Sequence, residues 1–327
     1  MMKLKHLFSN EDLAEMLLKN WEHDEDYKEL FKYFRVSSNA IYPFKANGEV
    51  HFLRFAPKTE KRKDDVLAEL DFIHYLRSHD YPALEPVKSK ENRELIDAET
   101  PWGKYLATVF KRVKGEQLSD TNLNDDIIYR YGKALGRLHQ LSSSYSPDTN
   151  KRWSYEDALQ WITNTLEKHP NETLALQEAK ILNEFLSNLT QDKHNYGLVH
   201  YDFECDNVFF DEESQSCNVI DFDDAMYHWY VIDIEQALDS IKEHIAPEKY
   251  QQKKQCFIDG YNTEYSISSE MLNHRPVFRR FANLYGYTRI LRSMEVTWKN
   301  EPEWMEKLRK LLAQSLENRS SSFGDEI

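Results

Sequence analysis

Three polar side chains in the middle of the chain have the types and the spacing that phosphoryl transfer requires. Asp202 follows His200 by two residues and precedes Asn207 by five, and Asp221 ends a short apolar run further along. A γ-phosphoryl group moves with little covalent help from a protein, so catalysis depends on orienting the acceptor hydroxyl and on neutralising charge with magnesium. Asp202 is suited to accept the hydroxyl proton. Asn207 and Asp221 carry the hard oxygen ligands that Mg²⁺ prefers.

The segments on either side of a polar turn predict a β-hairpin that brings the two candidate metal ligands together. Residues 207–210 and 217–220 are two short strand-like runs, and the polar residues 211–216 join them. Such a hairpin places Asn207 and Asp221 side by side at the mouth of a cleft.

Two other interpretations of these residues are open. An ordinary polar loop between strands uses the same residue types, with His200 bonded to a backbone carbonyl. A hydrolytic metal site is the second interpretation, and its ligands would be His194, His200, Asp202 and Cys205. Those residues lack the spacing of zinc sites, and the three cysteines of the chain contain no C-x-x-C pair. The second acidic motif after the loop favours phosphoryl transfer over both.

The combined motifs resemble those of the aminoglycoside phosphotransferase and choline kinase-like family. They are His200-x-Asp202-x4-Asn207, the sequence IDFDD at 220–224, and the sequence DIEQAL at 233–238. In that family the first Asp is the catalytic base, while the Asn and the second Asp bind magnesium. The resemblance therefore implies those roles for Asp202, Asn207 and Asp221. It also implies that Asp233 supports the catalytic loop, together with His200.

The family resemblance and the sequence patterns agree on an α+β, two-lobed protein-kinase-like fold. A small antiparallel β lobe with one main helix is expected over 1–113, ending in the hinge, and binds the nucleotide. A larger, mostly helical catalytic and substrate lobe is expected over 114–327. Strands are predicted at 30–36, 40–44, 50–55, 94–98 and 104–110, and the main helix at 64–77. The tail, 318–327, is predicted to be disordered.

The resemblance also implies which residues hold the nucleotide. Arg54 stands on the third strand, where the family places a basic residue on the phosphates, and a carboxylate of the main helix is its expected partner. The chain has no G-x-G-x-x-G loop, so a polar turn is expected to meet the phosphates. The expected nucleotide contacts are Arg54, Glu69, Ser37, Ser38, Asn39, and, through the hinge backbone, Lys111 and Val113. The expected cofactors are ATP and Mg²⁺.

Charge and composition narrow the class of partner. The formal net charge is -14, which argues against nucleic acid as a partner because the phosphate backbone is bound by clustered Lys and Arg. Acidic residues around the motifs favour a cationic acceptor and are candidate substrate contacts: Glu204, Asp206 and Asp224. No apolar run is long enough to span a bilayer, so we expect a cytoplasmic protein without a membrane partner, as a monomer or homodimer.

The sequence thus predicts an ATP-dependent kinase that phosphorylates a hydroxyl of a small, amine-bearing molecule. The resemblance allows an aminoglycoside, an amino alcohol, an aminosugar or an amino acid. Two alternatives stay open, a bacterial protein Ser/Thr kinase of the same fold and a non-catalytic nucleotide-binding scaffold such as a spore-coat relative. The intact carboxylates favour catalysis. Tyr201, at a position where the family commonly has Gly, and Asp206 depart from the family pattern and favour the scaffold.

Overall fold

A computed structural model describes residues 1–147 and 149–325, and its first half is built around one antiparallel sheet. The strand order is β1-β2-β3-β5-β4, and every neighbouring pair is antiparallel. The strands are β1 (Arg35–Val36), β2 (Ala40–Ala46), β3 (Glu49–Pro57), β4 (Leu95–Thr100) and β5 (Gly103–Lys111). The turn between β2 and β3 uses Asn47 at φ 53° and Gly48 at φ 76°, as the predicted Asn-Gly hairpin requires.

Two helices cover this sheet and connect it to the site. Helix α1 (Glu11–Leu18) begins at Asn10, whose side chain accepts a hydrogen bond from the amide of Leu13. Helix α2 (Lys63–Ser78) follows β3 and carries Glu69 on its buried face. The apolar residues of α2 pack into the core that also contains Phe110 of β5. Helix α2 is therefore packed against the sheet that contains β3.

The predicted strand over 30–36 is wrong for most of its length. A 3₁₀ helix occupies Tyr27–Tyr33, and only Arg35–Val36 pairs as a strand with β2. The 3₁₀ turns bury Phe31 against Tyr42 at a centroid distance of 5.1 Å. Aromatic residues have high strand propensity, but here burial against β2 decides the local structure.

The second half of the chain is mainly helical. Its helices are α3 (Asp125–Ser142), α4 (Tyr155–Leu166), α5 (Thr173–Asn188), α6 (Val231–His244), α7 (Tyr250–Asn262), α8 (Ser269–Asn273), α9 (Arg275–Ser293) and α10 (Glu303–Arg319). Helices α3 and α7 cross closely because both have glycine at the crossing. A Cβ on Gly132 would lie 1.9 Å from the carbonyl oxygen of Phe257, so only glycine fits there.

Two small sheets carry the segments with the motifs. The strands β6 (Glu116–Gln117), β8 (Val208–Asp211) and β9 (Ser216–Val219) form one sheet, and β7 (Tyr196–Val199) pairs with β10 (Met226–Trp229) in the other. The pairing of β8 with β9 confirms the predicted hairpin. The catalytic loop, residues 200–207, runs from β7 to β8, so both of its ends are anchored.

The arrangement confirms the predicted α+β class. Helix α10 extends to Arg319 and Phe323 is buried, so the tail is ordered over 318–325, contrary to prediction. Glu326 and Ile327 lie outside the described residues. Within residues 1–147 and 149–325, no helix is both long and apolar enough to cross a membrane. The division of lobes after Val113 stays a prediction, and that residue lies between β5 and β6.

Candidate active site

Asp233 fixes the start of the catalytic loop. From the first turn of α6 its carboxylate accepts hydrogen bonds from the backbone amides of His200 and Tyr201, both at 2.8 Å. A third bond, at 3.1 Å, comes from the Nε2 atom of His139. Asp233 is fully buried, and a polar side chain at such depth needs hydrogen-bond partners. These bonds place Asp233 where the resemblance implied a supporting residue.

His200 connects the loop to the second motif. Its Nε2 atom lies 2.9 Å from the carbonyl oxygen of Ile220, and its Nδ1 atom accepts from the amide of Asp202 at 3.2 Å. Burial lowers the pKa of His200, so the ring is neutral with its proton on Nε2. The side chain of His200 therefore links the loop, through Asp202, to Ile220 after the end of β9.

Asp202 and Asn207 are in direct contact. The Nδ2 atom of Asn207 donates to the Oδ2 atom of Asp202 at 2.8 Å and to the Asp202 carbonyl at 2.9 Å. Both of these bonds use the amide nitrogen, so the amide oxygen of Asn207 remains available as a ligand. One short loop therefore supplies a carboxylate and a neighbouring amide oxygen.

Tyr201 and Asp221 both have a left-handed backbone. Tyr201 has φ 65° and Asp221 has φ 63°. A non-glycine residue in that region costs on the order of 1–2 kcal/mol, and such residues concentrate at functional sites. The conformation at 201 explains why glycine suits this position in the family. At 221 it turns the carboxylate from the end of β9 toward the cleft.

Burial changes the acidity of the loop carboxylates. It raises the pKa of Asp202 well above its ordinary value, and Glu204 and Asp224 raise it further. Burial also raises the pKa of Asp221 to about 7, with a further contribution from Asp223. Close, partly desolvated carboxylates of this kind gain stability when a cation neutralises them.

The oxygen ligands at the cleft fit a divalent cation that is completed by water and phosphate. Asn207 offers an amide oxygen and Asp221 a carboxylate that accepts no hydrogen bond within residues 1–147 and 149–325. No group of three or more His, Cys, Asp or Glu side chains in this described part could hold a metal ion. His194 is exposed while His200 is buried, so the alternative His/Cys metal site is not assembled. Two oxygen ligands suit Mg²⁺, which keeps several waters and binds phosphate.

Arg54 and Glu69 form a buried bidentate ion pair. The two guanidinium nitrogens of Arg54 lie 2.8 Å and 2.7 Å from the two carboxylate oxygens of Glu69. Arg54 also lies over the ring of Phe110, with 4.7 Å between its Cζ atom and the ring centroid. The family resemblance implied a helix carboxylate as the partner of Arg54, and the structure brings the two residues together in a buried position.

The turn over 37–39 also lies at the cleft, and the side chains of Ser38 and Asn39 are already hydrogen-bonded. The Nδ2 atom of Asn39 donates to Asp223 at 3.0 Å, and the Ser38 hydroxyl accepts from Arg289 at 3.0 Å. Ser37 lines the same cavity as Asp202. Through Asn39 the turn therefore contacts the acidic segment, defined here as residues 221–224.

The two predicted hinge residues, Lys111 and Val113, differ in whether their backbone groups are already hydrogen-bonded. The backbone amide of Lys111 donates to the Glu85 carbonyl at 2.9 Å, and its side chain pairs with the Glu85 carboxylate at 2.6 Å. Val113 makes no backbone hydrogen bond within the described residues. Val113 therefore has the free backbone groups that adenine requires, whereas the amide of Lys111 is occupied.

The acidic segment is neutralised by basic residues that sequence reasoning missed. Lys61 pairs with Asp223 at 2.5 Å, and Arg289 of α9 pairs with Asp224 at 2.5 Å. Burial opposes both acidic charges, but Lys61 and Arg54 lower the pKa of Asp223 below its ordinary value, and Arg289 does so for Asp224. No local motif marks these basic residues. The several arginines of α9, in a chain with a net charge of -14, are a sequence signal that could have pointed to Arg289.

Two adjoining cavities meet at Asp202. The phosphate cavity, about 290 Å³, is lined by residues 37–39 and by Asn207 and Asp221. The acceptor cavity, about 450 Å³, is lined by Tyr201, Glu204 and parts of α6, α9 and α10. The residues common to both cavities are Asp202, Asp224, Gly286, Arg289 and Arg319.

The three candidate substrate residues do not all line the same cavity. Glu204 lines the acceptor cavity, Asp206 lines the phosphate cavity, and Asp224 lines both. A third cavity of about 270 Å³ lies beside the acidic segment, but Asp202 is not among its lining residues in the described part of the chain. The geometry thus places a candidate base between a site for phosphates and a site for a second molecule.

A scan of family models matches residues 36–261 to the phosphotransferase enzyme family, a range that contains every motif discussed above. The chain belongs to that family. This membership confirms the family predicted from the motifs and the enzyme class of a phosphotransferase.

Individual relatives are distant but cover most of the chain. Amicoumacin kinase from Bacillus subtilis (strain 168) is 22% identical over 300 residues, covering 86% of this chain and 87% of its own length. A solved amicoumacin kinase complex superposes with a TM-score of 0.79 at 21% identity, covering 98% of this chain and 95% of its own. A microcompartment-associated aminopropanol kinase gives a TM-score of 0.69 at 19% identity, covering 96% and 97%. These similarities confirm the predicted kinase-like fold.

Proposed function

We propose that this phosphotransferase moves the γ-phosphoryl group of ATP to a hydroxyl of a small molecule. The observation that carries the proposal is the contact of Asp202 with Asn207 beside Asp221, where the two cavities meet. A base on one side and oxygen ligands on the other match the requirements of phosphoryl transfer, in which positioning and charge neutralisation provide most of the rate.

Asp202 acts as the general base in this proposal. It lines both cavities, so an acceptor hydroxyl can reach its carboxylate while the phosphates lie beside Asn207. The raised pKa of Asp202 makes it a stronger base, and nearby positive charge favours its ionised form. The bond from Asn207 orients the carboxylate.

Asn207 and Asp221 would hold the divalent cation through their free oxygens. The cation supplies charge neutralisation at the phosphate oxygens. The amicoumacin kinase that resembles this chain was solved with AMP-PNP and Ca²⁺, which supports ATP and a divalent metal as cofactors here. Mg²⁺ is the physiological choice that fits the two oxygen ligands.

The nucleotide would lie between the β sheet and the catalytic loop. The ion pair of Arg54 with Glu69 presents a fixed guanidinium to the α- and β-phosphates. The turn of Ser37, Ser38 and Asn39 would exchange its contacts with the acidic segment for phosphate oxygens. Val113 would contact adenine through its backbone, and Lys111 would contribute less because its amide is already bonded.

The acceptor site suits a small molecule. Its volume is in the range of ordinary ligand pockets, and three helices surround it. The relatives are named for amicoumacin and aminopropanol, and another solved neighbour for spectinomycin. We infer an amine-bearing acceptor. Asp224 and Glu235 are paired with arginine, whereas Glu204, Asp206 and Glu243 make no ion pair in the described part of the chain.

An ATP-consumption screen tests this function. Purified protein with Mg-ATP is offered amino alcohols, amino acids, aminosugars, aminoglycosides and, separately, protein substrates such as casein. Consumption with one small-molecule class supports the proposal, and phosphorylation of protein alone favours the protein-kinase alternative. ATP binding without any consumption would support a scaffold and contradict the proposal. A positive acceptor retested at high salt should show a higher KM if its charge contributes.

A further inference from the structure

Arg319, at the end of α10, lines both cavities, and its side chain makes no hydrogen bond to any residue that the structure describes. Its guanidinium lies against the backbone of α9 at Gly286, and its Nε atom is buried without a hydrogen bond in this described part. Across residues 1–147 and 149–325 it makes no ion pair. A buried donor without a partner is costly, so an unpaired guanidinium in a cavity points to a group that arrives from outside.

Other arginines at this cavity are paired. Arg289 pairs with Asp224 at 2.5 Å, and Arg279 pairs with Glu235 and Asp239. The charge of Arg319 acts on Glu204 only at longer range. Arg319 is therefore the basic group of this cavity whose hydrogen-bond donors remain free.

Two groups of the acceptor cavity that can accept hydrogen bonds also lack partners among the described residues. They are the hydroxyl of Tyr201 and the Oε1 atom of Gln236, and both are buried. Together with the unpaired carboxylate of Glu204, they offer places for hydrogen-bond donors of a ligand. The cavity thus has a free cationic side at Arg319 and a free acceptor side at Tyr201, Gln236 and Glu204.

We propose that Arg319 binds a carboxylate of the acceptor, so that the preferred substrate carries a carboxylate as well as an amine and a hydroxyl. A guanidinium matches a carboxylate through two parallel hydrogen bonds. The acceptor's ammonium group would face Glu204 and Gln236. This inference rests on the proposed kinase function and adds a substrate class to it.

A substitution at Gly286 tests the proposal in a second way, because it would displace the guanidinium of Arg319 without removing its charge. A Cβ at this position would lie 2.6 Å from the Nη1 atom of Arg319, too close for both to stay in place. The group it displaces is the end of a flexible side chain, and alanine favours a helix interior, so Gly286→Ala should fold. Arg319→Met removes the charge and keeps the volume. Lys310→Met changes an exposed charge on the same helix and serves as the control.

The experiment compares kcat/KM for acceptors that differ only in a carboxylate. The pairs are threonine and 1-aminopropan-2-ol, homoserine and 3-aminopropan-1-ol, and the dipeptide Ala-Thr and its C-terminal amide. Wild type and Lys310→Met should favour the carboxylate in at least one pair by about 10- to 100-fold, mainly through KM. Arg319→Met and Gly286→Ala should lose that preference.

Three results would overturn the inference. One is turnover of amines that lack a carboxylate with no preference for the carboxylate-bearing partner, which leaves the proposed function intact. Another is a preference that survives in Arg319→Met. The third is an equal loss of kcat for both members of a pair in Arg319→Met, which would place Arg319 on the transferred phosphoryl group. Turnover of no amine, amino acid, aminosugar or aminoglycoside would overturn the proposed function itself.

Discussion

The catalytic loop and helix α9 both contribute to the same cleft, but they differ in how their residues are held. In the loop, Asn207 bonds Asp202 at a sequence separation of 5, and His200 bonds the carbonyl of Ile220 at a separation of 20. Arg289 of α9 bonds Ser38 across 251 residues. Site residues that lie close together in the sequence form a motif whose spacing can be recognised. A site residue that comes from a distant helix, such as Arg289, has no such spacing to its partners in the sequence.

The two regions should have different roles in the reaction. Residues of the loop should control the rate of phosphoryl transfer, because they lie between the two cavities. Residues of α9 and α10 line the acceptor cavity and should control which acceptor binds. Substitutions in the two regions should therefore affect kcat and KM differently.

The largest expected effect comes from the candidate base. Asp202→Asn keeps the size of the side chain, so folding and ATP binding should persist while kcat falls by about 10²- to 10⁴-fold. The measurement is kcat with the acceptor found in the screen, alongside the melting temperature. Near wild-type turnover in Asp202→Asn would show that the carboxylate of Asp202 is not needed for phosphoryl transfer, and the proposed difference between the loop and α9 would then fail.

The second effect concerns the metal. Saturating Mg-ATP should stabilise the wild type by about 2–4 kcal/mol relative to the free protein, since a ligand that binds only the folded state stabilises it by mass action. Asp221→Ala should remove the part of this gain that depends on Mg²⁺, as measured by melting with ATP alone and with Mg-ATP. An unchanged Mg²⁺-dependent shift would contradict a metal role for Asp221.

The third effect separates α9 from the loop. Arg289→Met leaves Asp224 without its cation, and because this pair is partly buried, the free energy of unfolding should fall by about 1–3 kcal/mol. The KM for the acceptor should rise more than kcat falls. Arg309→Met is the control, since it removes an ion pair with Glu301 outside both cavities. Equal kinetic effects in both variants would show that Arg289 acts only through stability.

The smallest effect concerns pH and Glu204. Burial, followed by Asp206 and Glu243, raises the pKa of Glu204 to about 7. The folded state therefore holds this proton more tightly than the unfolded state, and the associated stability is present below pH 4.5 and lost as pH rises through about 7. Glu204→Gln should be more stable than the wild type at pH 8 by about 1–3 kcal/mol, with the difference vanishing near pH 4.

Thermal unfolding of both proteins across that pH range is the measurement for Glu204. A difference that is constant with pH would show that the carboxyl group titrates normally in the folded protein. That result would place Glu204 in contact with solvent rather than at a buried acceptor site.

The sequence predicted the parts of the fold and site that local patterns determine. The hairpin of β8 and β9 follows from the strand pattern and the polar turn. The pair of Arg54 with Glu69 and the position of Asp233 beside the loop were implied by the family resemblance. Of the predicted substrate carboxylates, Asp224 is paired with Arg289 from a distant helix, which no local pattern of the sequence indicates. The 3₁₀ helix at Tyr27–Tyr33 and the ordered segment around Phe323 also depend on tertiary burial, which propensity does not contain.

The most direct test of the central claim follows the γ-phosphoryl group itself. ATP labelled with ¹⁸O at the γ-phosphoryl oxygens is incubated with Mg²⁺, the acceptor, and either wild type or Asp202→Asn, and the products are analysed by mass spectrometry. The account predicts that the label appears as a phosphate ester on the acceptor hydroxyl with wild type and is nearly absent with Asp202→Asn. Label found only in free phosphate, or equal ester formation by both proteins, would contradict it.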